Sequence, residues 1–145
     1  MSGDADRLKA IADAQPPFGQ FMGMRVVEAT SDRVVMEMPV GPDLANRNGL
    51  LHGGAILAMA DNVAGTATFL NLAEGSSTTT IESKTNFLRA IAIGDTAKAV
   101  ATPLHRGRTT MVWETKISGQ DGRTAAIVIQ TQLVMAKKPT ASPPA

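Results

Sequence analysis

The sequence predicts an α+β domain in which one antiparallel sheet packs on one long buried helix. Three observations point there. The stretch Leu50 to Glu74, once opened by Gly53-Gly54, is apolar or small on nearly every side, and a helix apolar all round is buried. Six other stretches alternate or are β-branched, two before this helix and four after it, with turn signals between several of them. A chain of 145 residues has the size of one ordinary domain, able to bury about two-thirds of its unfolded surface.

Taken in order, Asp6 to Ala14 places Leu8, Ile11 and Ala12 at helical spacing and predicts a short amphipathic helix stopped by Pro16 and Pro17. Phe18 to Gly23 reads as a connector anchored by Phe18, Phe21 and Met22. Met24 to Ala29 and Arg33 to Val40 form a hairpin about Ser31-Asp32. Gly41 to Gly49, with its Gly, Pro and Asn residues, is a loop. The buried helix follows; about 20 residues at ~1.5 Å each span roughly 30 Å, enough to cross a small sheet, and Gly75 is its expected end. Four strands complete the domain: Ser77 to Phe87, Thr96 to Leu104, Met111 to Ile117 and Thr124 to Met135. Turns at Gly94-Asp95 and Gly119 to Gly122 separate them. The expected organisation is an N-terminal helix and linker over residues 1–17, one β-β-α-β-β-β-β domain over 18–135, and a Pro- and Lys-bearing tail over 136–145 expected to be disordered.

Composition narrows the function. Fourteen Lys and Arg against 13 Asp and Glu leave a net charge of +1, which argues against nucleic acid, whose phosphates call for a basic surplus on one face. With no Cys and only His52 and His105, thiolate nucleophiles, disulfides and the usual zinc sites fall away. No metal or other cofactor is expected. The N-terminal residues alternate charge with Ala and show no signal-peptide h-region, and the apolar helix is interrupted by Asp61 and Asn62 rather than spanning a membrane. A cytoplasmic protein without membrane or nucleic-acid partners is expected.

Chemistry concentrates in NRNGLLHGGAILAMAD. Asp61 is the only formal charge between His52 and Glu74. A buried carboxylate must be paired, solvated in a cleft or put to work, unless the helix simply turns it to solvent. Gly53 and Gly54 stand where a helix begins, with unpaired amides and the positive dipole end, a place suited to an oxyanion or a polarised carbonyl; they also merely let a loop turn tightly. His52 could orient a neighbour, donate a hydrogen bond or act as a base, although a lone His at a loop–helix junction is more often a capping or packing residue than a catalyst, and His105 reads as ordinary surface. Nine residues separate His52 from Asp61, about 13 Å and 180° on a helix. If both serve one site, a second subunit must supply one of them.

The ordered set N-x-x-G-x-x-H-G-G (Asn46, Gly49, His52, Gly53, Gly54), with Asp61 eight residues after Gly53, resembles the hotdog-fold acyl-CoA thioesterases of the phenylacetic-acid-degradation (PaaI) type. TIESKTNFLRAIAIGD and the RGRTT…G…DGR…A pattern resemble that family's third strand and closing strands, and the likeness covers roughly Phe18 to Met135. Ala90 stands where relatives usually carry Pro. The resemblance implies a sheet wrapped around one helix and hydrolysis of an aryl- or medium-chain acyl-CoA to free acid and CoA. It places Asp61 on the catalytic carboxylate, nucleophile or general base, and Gly53 on the amide that polarises the thioester carbonyl. Asn46 falls on the side chain that positions the water or thioester, His52 on support for the oxyanion site, and Thr80 on a hydroxyl near the water, with Thr79 one step away. Arg89, Arg106 and Arg108, with Thr109 and Thr110 beside them, are candidates for the CoA phosphates or pantetheine arm, their bland alternative being a solvated cationic turn. Asp61 and the Asn46–Gly53 loop would come from opposite subunits of a homodimer or dimer of dimers.

Two rival readings share this ground. The (R)-specific hydratases of the same fold carry His four or five residues after Asp, and neither Asp43 nor Asp61 has one there. The acyl-carrier-protein dehydratases carry His-Phe-Pro-Gly, which His52-Gly53-Gly54 does not match. A non-catalytic acyl-CoA-binding protein, the other alternative, usually carries a DNA-binding helix pair, for which the residues before the first strand leave no room.

Overall fold

The computed structural model describes residues 2–141, 143 and 144. The chain runs α1 (Ser2–Asp13), α2 (Pro17–Phe21), β1 (Arg25–Ala29), β2 (Val34–Pro39), a 3-10 turn (Pro42–Leu44), α3 (Gly53–Phe69), β3 (Ser77–Phe87), β4 (Thr96–Arg106), β5 (Thr110–Ser118) and β6 (Thr124–Met135). The six strands form one antiparallel sheet in the order β1-β2-β4-β5-β6-β3. The last strand, β6, lies between β5 and β3, so β3 is an edge strand paired on one side only.

α3 lies across the sheet and touches β2 to β6. Strand alternation explains how it fits. Met36 and Met38 of β2, Met111, Trp113 and Ile117 of β5, and Ala126 and Val128 of β6 are buried in one core. Opposite them β4 contributes only Ala97, Ala99 and Ala101 to that core, small side chains that let the helix approach closely. Ile56, Met59, Ala60, Val63, Ala64 and Ala67 of α3 fill the other side of this core.

The structure corrects several expectations. α1 begins at Ser2, before Asp6, and Leu8 and Ala12 are buried while Ala12 joins the main core. The connector after Pro16 contains a one-turn helix, α2, with Pro17 in its first turn. Of its expected anchors only Met22 is buried; Phe18 is exposed and Phe21 is 85% exposed. α3 ends at Phe69, six residues before Gly75, which instead adopts φ +79° in the turn to β3. Its end is a tertiary event: the Asn71 amide donates to the Ala67 carbonyl and to Ser31 O in the β1–β2 turn, both at 2.9 Å.

Nor is α3 buried all round. Leu57, Asp61 and Phe69 form an exposed stripe at four- and eight-residue steps, with Gly65 half-buried between them. Residues 136–141, 143 and 144 form neither helix nor strand, and positions 142 and 145 of the expected tail lie outside the described residues. No described helix is long and apolar enough to cross a membrane.

Candidate active site

Asp61 occupies the exposed stripe of α3, yet its side chain is held. Thr80 Oγ1 donates to Asp61 Oδ1 at 2.7 Å, and Gln130 Nε2 donates to the same oxygen at 2.9 Å. Among the described residues Oδ2 has no partner. Thr80 reaches this position beside an irregularity in the β3–β6 pairing: Ile81 is the extra residue between Thr80, opposite Gln132, and Glu82, opposite Thr131. Bulges of this kind re-aim side chains beside active sites. Thr79, opposite Leu133, has its side chain on the other face of the sheet.

Asp61 opens on a cleft of about 500 Å³ between α3 and the N-terminal segment. Ile11, Ala14 and Pro16 line one wall and Gly65, Thr66 and Phe69 the other. Gln15 locks the walls together: its Oε1 accepts from Asn62 Nδ2 at 2.6 Å, while its Nε2 donates to Ala12 O at 2.6 Å and Thr66 Oγ1 at 3.3 Å. Gly19 lets α2 approach this joint, because a Cβ there would lie 3.0 Å from the Asn62 amide and 3.1 Å from Gln15 Oε1.

At the other end of the site chemistry, α3 opens with a cap. His52 Nδ1 accepts from Gly54 N at 2.8 Å, and the His52 carbonyl accepts from Ala55 and Ile56. Gly54's amide is thus committed to the imidazole. Gly53's amide has no acceptor among the described residues and stands at the positive end of the dipole. Asn46 folds its own loop: Oδ1 accepts from Asn48 N at 2.9 Å and Leu50 N at 3.1 Å, which leaves its Nδ2 without an acceptor among the described residues. Gly53 and Asp61 lie eight residues apart on α3, about 12 Å along its axis, so one chain does not bring its free amide and its carboxylate to the same carbonyl.

The candidate arginines separate as well. Arg106 Nη1 pairs with Asp32 Oδ1 at 2.7 Å and donates to Ser31 O at 2.9 Å, which ties it to the β1–β2 turn. Arg89 follows β3 and bonds through its backbone to Ala125 O, whereas Thr109, beside Arg108, accepts from Val134 N. Those two anchor points, Ala125 and Val134, are nine residue steps apart along extended β6, about 30 Å. Both arginines are exposed and make no side-chain hydrogen bond or ion pair among the described residues. Among the described residues no cluster of three His, Asp or Glu side chains is placed to hold a metal ion.

The sequence reading missed Gln15, Gln130 and Gln132. Ile127, Ile129 and Leu133 of β6 face away from α3 while Gln130 and Gln132, each 1% exposed, face it. The available signal was two glutamines two residues apart in an otherwise apolar strand.

The Thioesterase superfamily model matches residues 48–126, which holds the Asn46–Asp61 region from Asn48 onward together with β3, β4 and β5. The chain belongs to the thioesterase superfamily. It is a thioester hydrolase on a hotdog fold. A Pseudomonas aeruginosa thioesterase structure matches it with a TM-score of 0.81 at 29% identity, covering 93% of this chain and 96% of that one. A thioesterase from Streptococcus pneumoniae, solved with coenzyme A, matches with a TM-score of 0.74 at 25% identity over 82% and 94% of the two chains. The Escherichia coli PaaI protein of the phenylacetic acid degradation operon shares the fold, with a TM-score of 0.81 at 23% identity over 92% and 99%.

Proposed function

We propose that this thioesterase hydrolyses acyl-CoA, releasing free acid and CoA, in a two-fold dimer whose active sites each draw on both chains. The observation that carries the reading is the division of labour along α3: a free amide at Gly53 and a held carboxylate at Asp61, too far apart to serve one carbonyl within a chain. Two antiparallel copies would answer that separation twice over. The open rim of β3 and the uncovered stripe of α3 around Asp61 supply faces for such pairing.

The chemistry then needs few parts. A thioester carbonyl is more electrophilic than an ester's, and a thiolate leaves readily. The amide of one chain's Gly53 takes up the charge that develops on the carbonyl oxygen. The partner copy's carboxylate, through its free oxygen, delivers the attack directly or by taking a proton from water. The tetrahedral intermediate collapses with expulsion of the CoA thiolate, which takes up the proton drawn from water; where the carboxylate has attacked directly, the acyl–Asp61 anhydride so formed is then hydrolysed by water to free acid and the regenerated carboxylate. The Asn46 Nδ2 group is the remaining donor for the water or thioester.

The cleft beside Asp61 suits an acyl chain of medium length or an aryl group: Ile11, Ala14, Pro16 and Phe69 give it apolar surface, and Thr66 with the β3 threonines gives it a polar side. The bound coenzyme in the Streptococcus structure supports CoA as the carrier. Arg89 and Arg108 rather than Arg106 are the cations left to meet its phosphates, each from a different part of the assembly.

A panel of acyl-CoA thioesters with free-thiol detection tests the reading. Turnover of octanoyl- or phenylacetyl-CoA well above acetyl-CoA is expected. Loss of enoyl absorbance from crotonyl-CoA without release of thiol would assign the chain to hydration instead.

A further inference from the structure

The hydrogen bonds behind Asp61 form a chain with one direction. Thr78 Oγ1 lies 2.9 Å from Gln132 Oε1 and 2.9 Å from Leu133 O, so a hydroxyl donor faces the oxygen of the Gln132 amide. Gln132 Nε2 then donates to Thr80 Oγ1 at 2.7 Å. With that lone pair occupied by an N–H, the Thr80 proton is directed to Asp61 Oδ1 at 2.7 Å. Gln130 Nε2 adds a second donor to the same oxygen at 2.9 Å and lies 3.3 Å from Thr80 Oγ1. Both glutamines are 1% exposed, a costly place for an amide unless its bonds are made; Gln132 is bonded at both its oxygen and its nitrogen, whereas Gln130 is bonded through Nε2 alone and its Oε1 has no partner among the described residues.

We propose that Gln130 and Gln132 are positioning residues that fix the Asp61 carboxylate by its Oδ1, Gln130 directly and Gln132 through Thr80, and so present Oδ2 to the thioester. This rests on the assignment of Asp61 as the working carboxylate. A hydroxyl rotates freely and a carboxylate on a solvent-facing stripe samples several rotamers. Two donors converging on one oxygen remove that freedom, and the amide of Gln132 decides which way the Thr80 hydroxyl points. Thr80 therefore spends its proton on Asp61 and does not donate to substrate.

The test substitutes Gln130→Met and Gln132→Met, which keep side-chain length but remove the N–H donors, alone and in a Thr80→Val background. Leu replacements serve as a second series, with circular dichroism confirming the fold. For Gln130→Met kcat on the best acyl-CoA is expected to fall about ten- to a hundredfold, the scale of one hydrogen bond to a charged group, and for Gln132→Met, which loses a bond to the neutral Thr80 hydroxyl, about three- to tenfold, with KM unchanged. In the Thr80→Val background Gln132→Met is expected to cost nothing further, because its route to Asp61 is gone, whereas Gln130→Met still lowers kcat. Thr80→Ser, which restores the hydroxyl, is expected to recover most of the turnover that Thr80→Val loses. An equal loss from Gln132→Met in both backgrounds would overturn the proposal.

A second arm is independent of activity. Three-bond Hα–Hβ couplings of Asp61 should report one rotamer in the unsubstituted chain and averaging in the Gln130→Met/Gln132→Met protein. A single rotamer in both also overturns the proposal. Absence of thiol release from every acyl-CoA by the unsubstituted chain would instead count against the hydrolase reading of Asp61, with the couplings still deciding what the glutamines do.

Discussion

His52 Nδ1 holds the Gly54 amide at 2.8 Å, and this makes Gly53 the first uncommitted donor of α3. Gly53→Pro deletes that amide at the one helical position where Pro is well accepted. Turnover on acyl-CoA is expected to fall by about 10²–10³-fold, the scale of one lost oxyanion donor, with the circular dichroism spectrum retained. Gly53→Ala keeps the amide, and its Cβ would meet Phe87 Cζ at 3.4 Å, an ordinary contact. Its rate is expected to stay within a few-fold of the unsubstituted chain.

Asp61→Asn preserves volume and can still accept from Thr80 and Gln130 but neither attacks nor takes a proton. A loss of at least about two orders of magnitude in kcat is expected, the size typical of a missing general base, with an unchanged thermal unfolding midpoint. Near-normal thiol release from this variant would remove Asp61 from the mechanism.

Shared sites make a complementation prediction. Asp61→Ala and Asn46→Ala proteins are each expected to be inactive. After subunit exchange, a mixed dimer has one site with both lesions and one with neither, so part of the activity should return. Exchange demonstrated by mass spectrometry without any recovery would place the whole site in one chain.

Gly65 lines the cleft in the middle of α3, and a Cβ there would meet nothing within 4 Å. Gly65→Ala is therefore expected to raise stability by roughly 0.5–1 kcal/mol, the helix-interior cost of Gly, read as a higher unfolding midpoint. Gly65→Leu is expected to shift preference toward shorter acyl chains, measured as the ratio of kcat/KM for octanoyl- over acetyl-CoA.

Local chemistry explains what the sequence disclosed. The strands Ser77–Phe87 and Thr124–Met135 were legible to the residue because turn formers bracket β-branched runs. The start of α3 was legible because His-Gly-Gly is a cap written locally. Its end was not, because Asn71 ties it to Ser31, forty residues away in sequence. α2 was missed because Gly19 is a poor helix former, placed there by its close approach to Asn62 and Gln15. The supports of Asp61 come from β3 and β6, 19 and 69 residues away, and on β6 they sit on the less apolar face of the strand. A reading by periodicity assigns the more apolar face to the core; here the core-facing side carries the glutamines.

The bare rim of β3 links folding to mass action. Its eleven residues, Ser77 to Phe87, hold out backbone donors and acceptors on a side that no other strand among the described residues covers, and no proline interrupts them. If a second copy completes that rim, each halving of protein concentration lowers the apparent stability of the folded state, since association favours the folded state alone. The same rim on a chain still alone after synthesis is an adhesive template for any extended segment nearby. Prompt encounter with its own kind, rather than the strength of its core, would then govern how much of the protein reaches an active form.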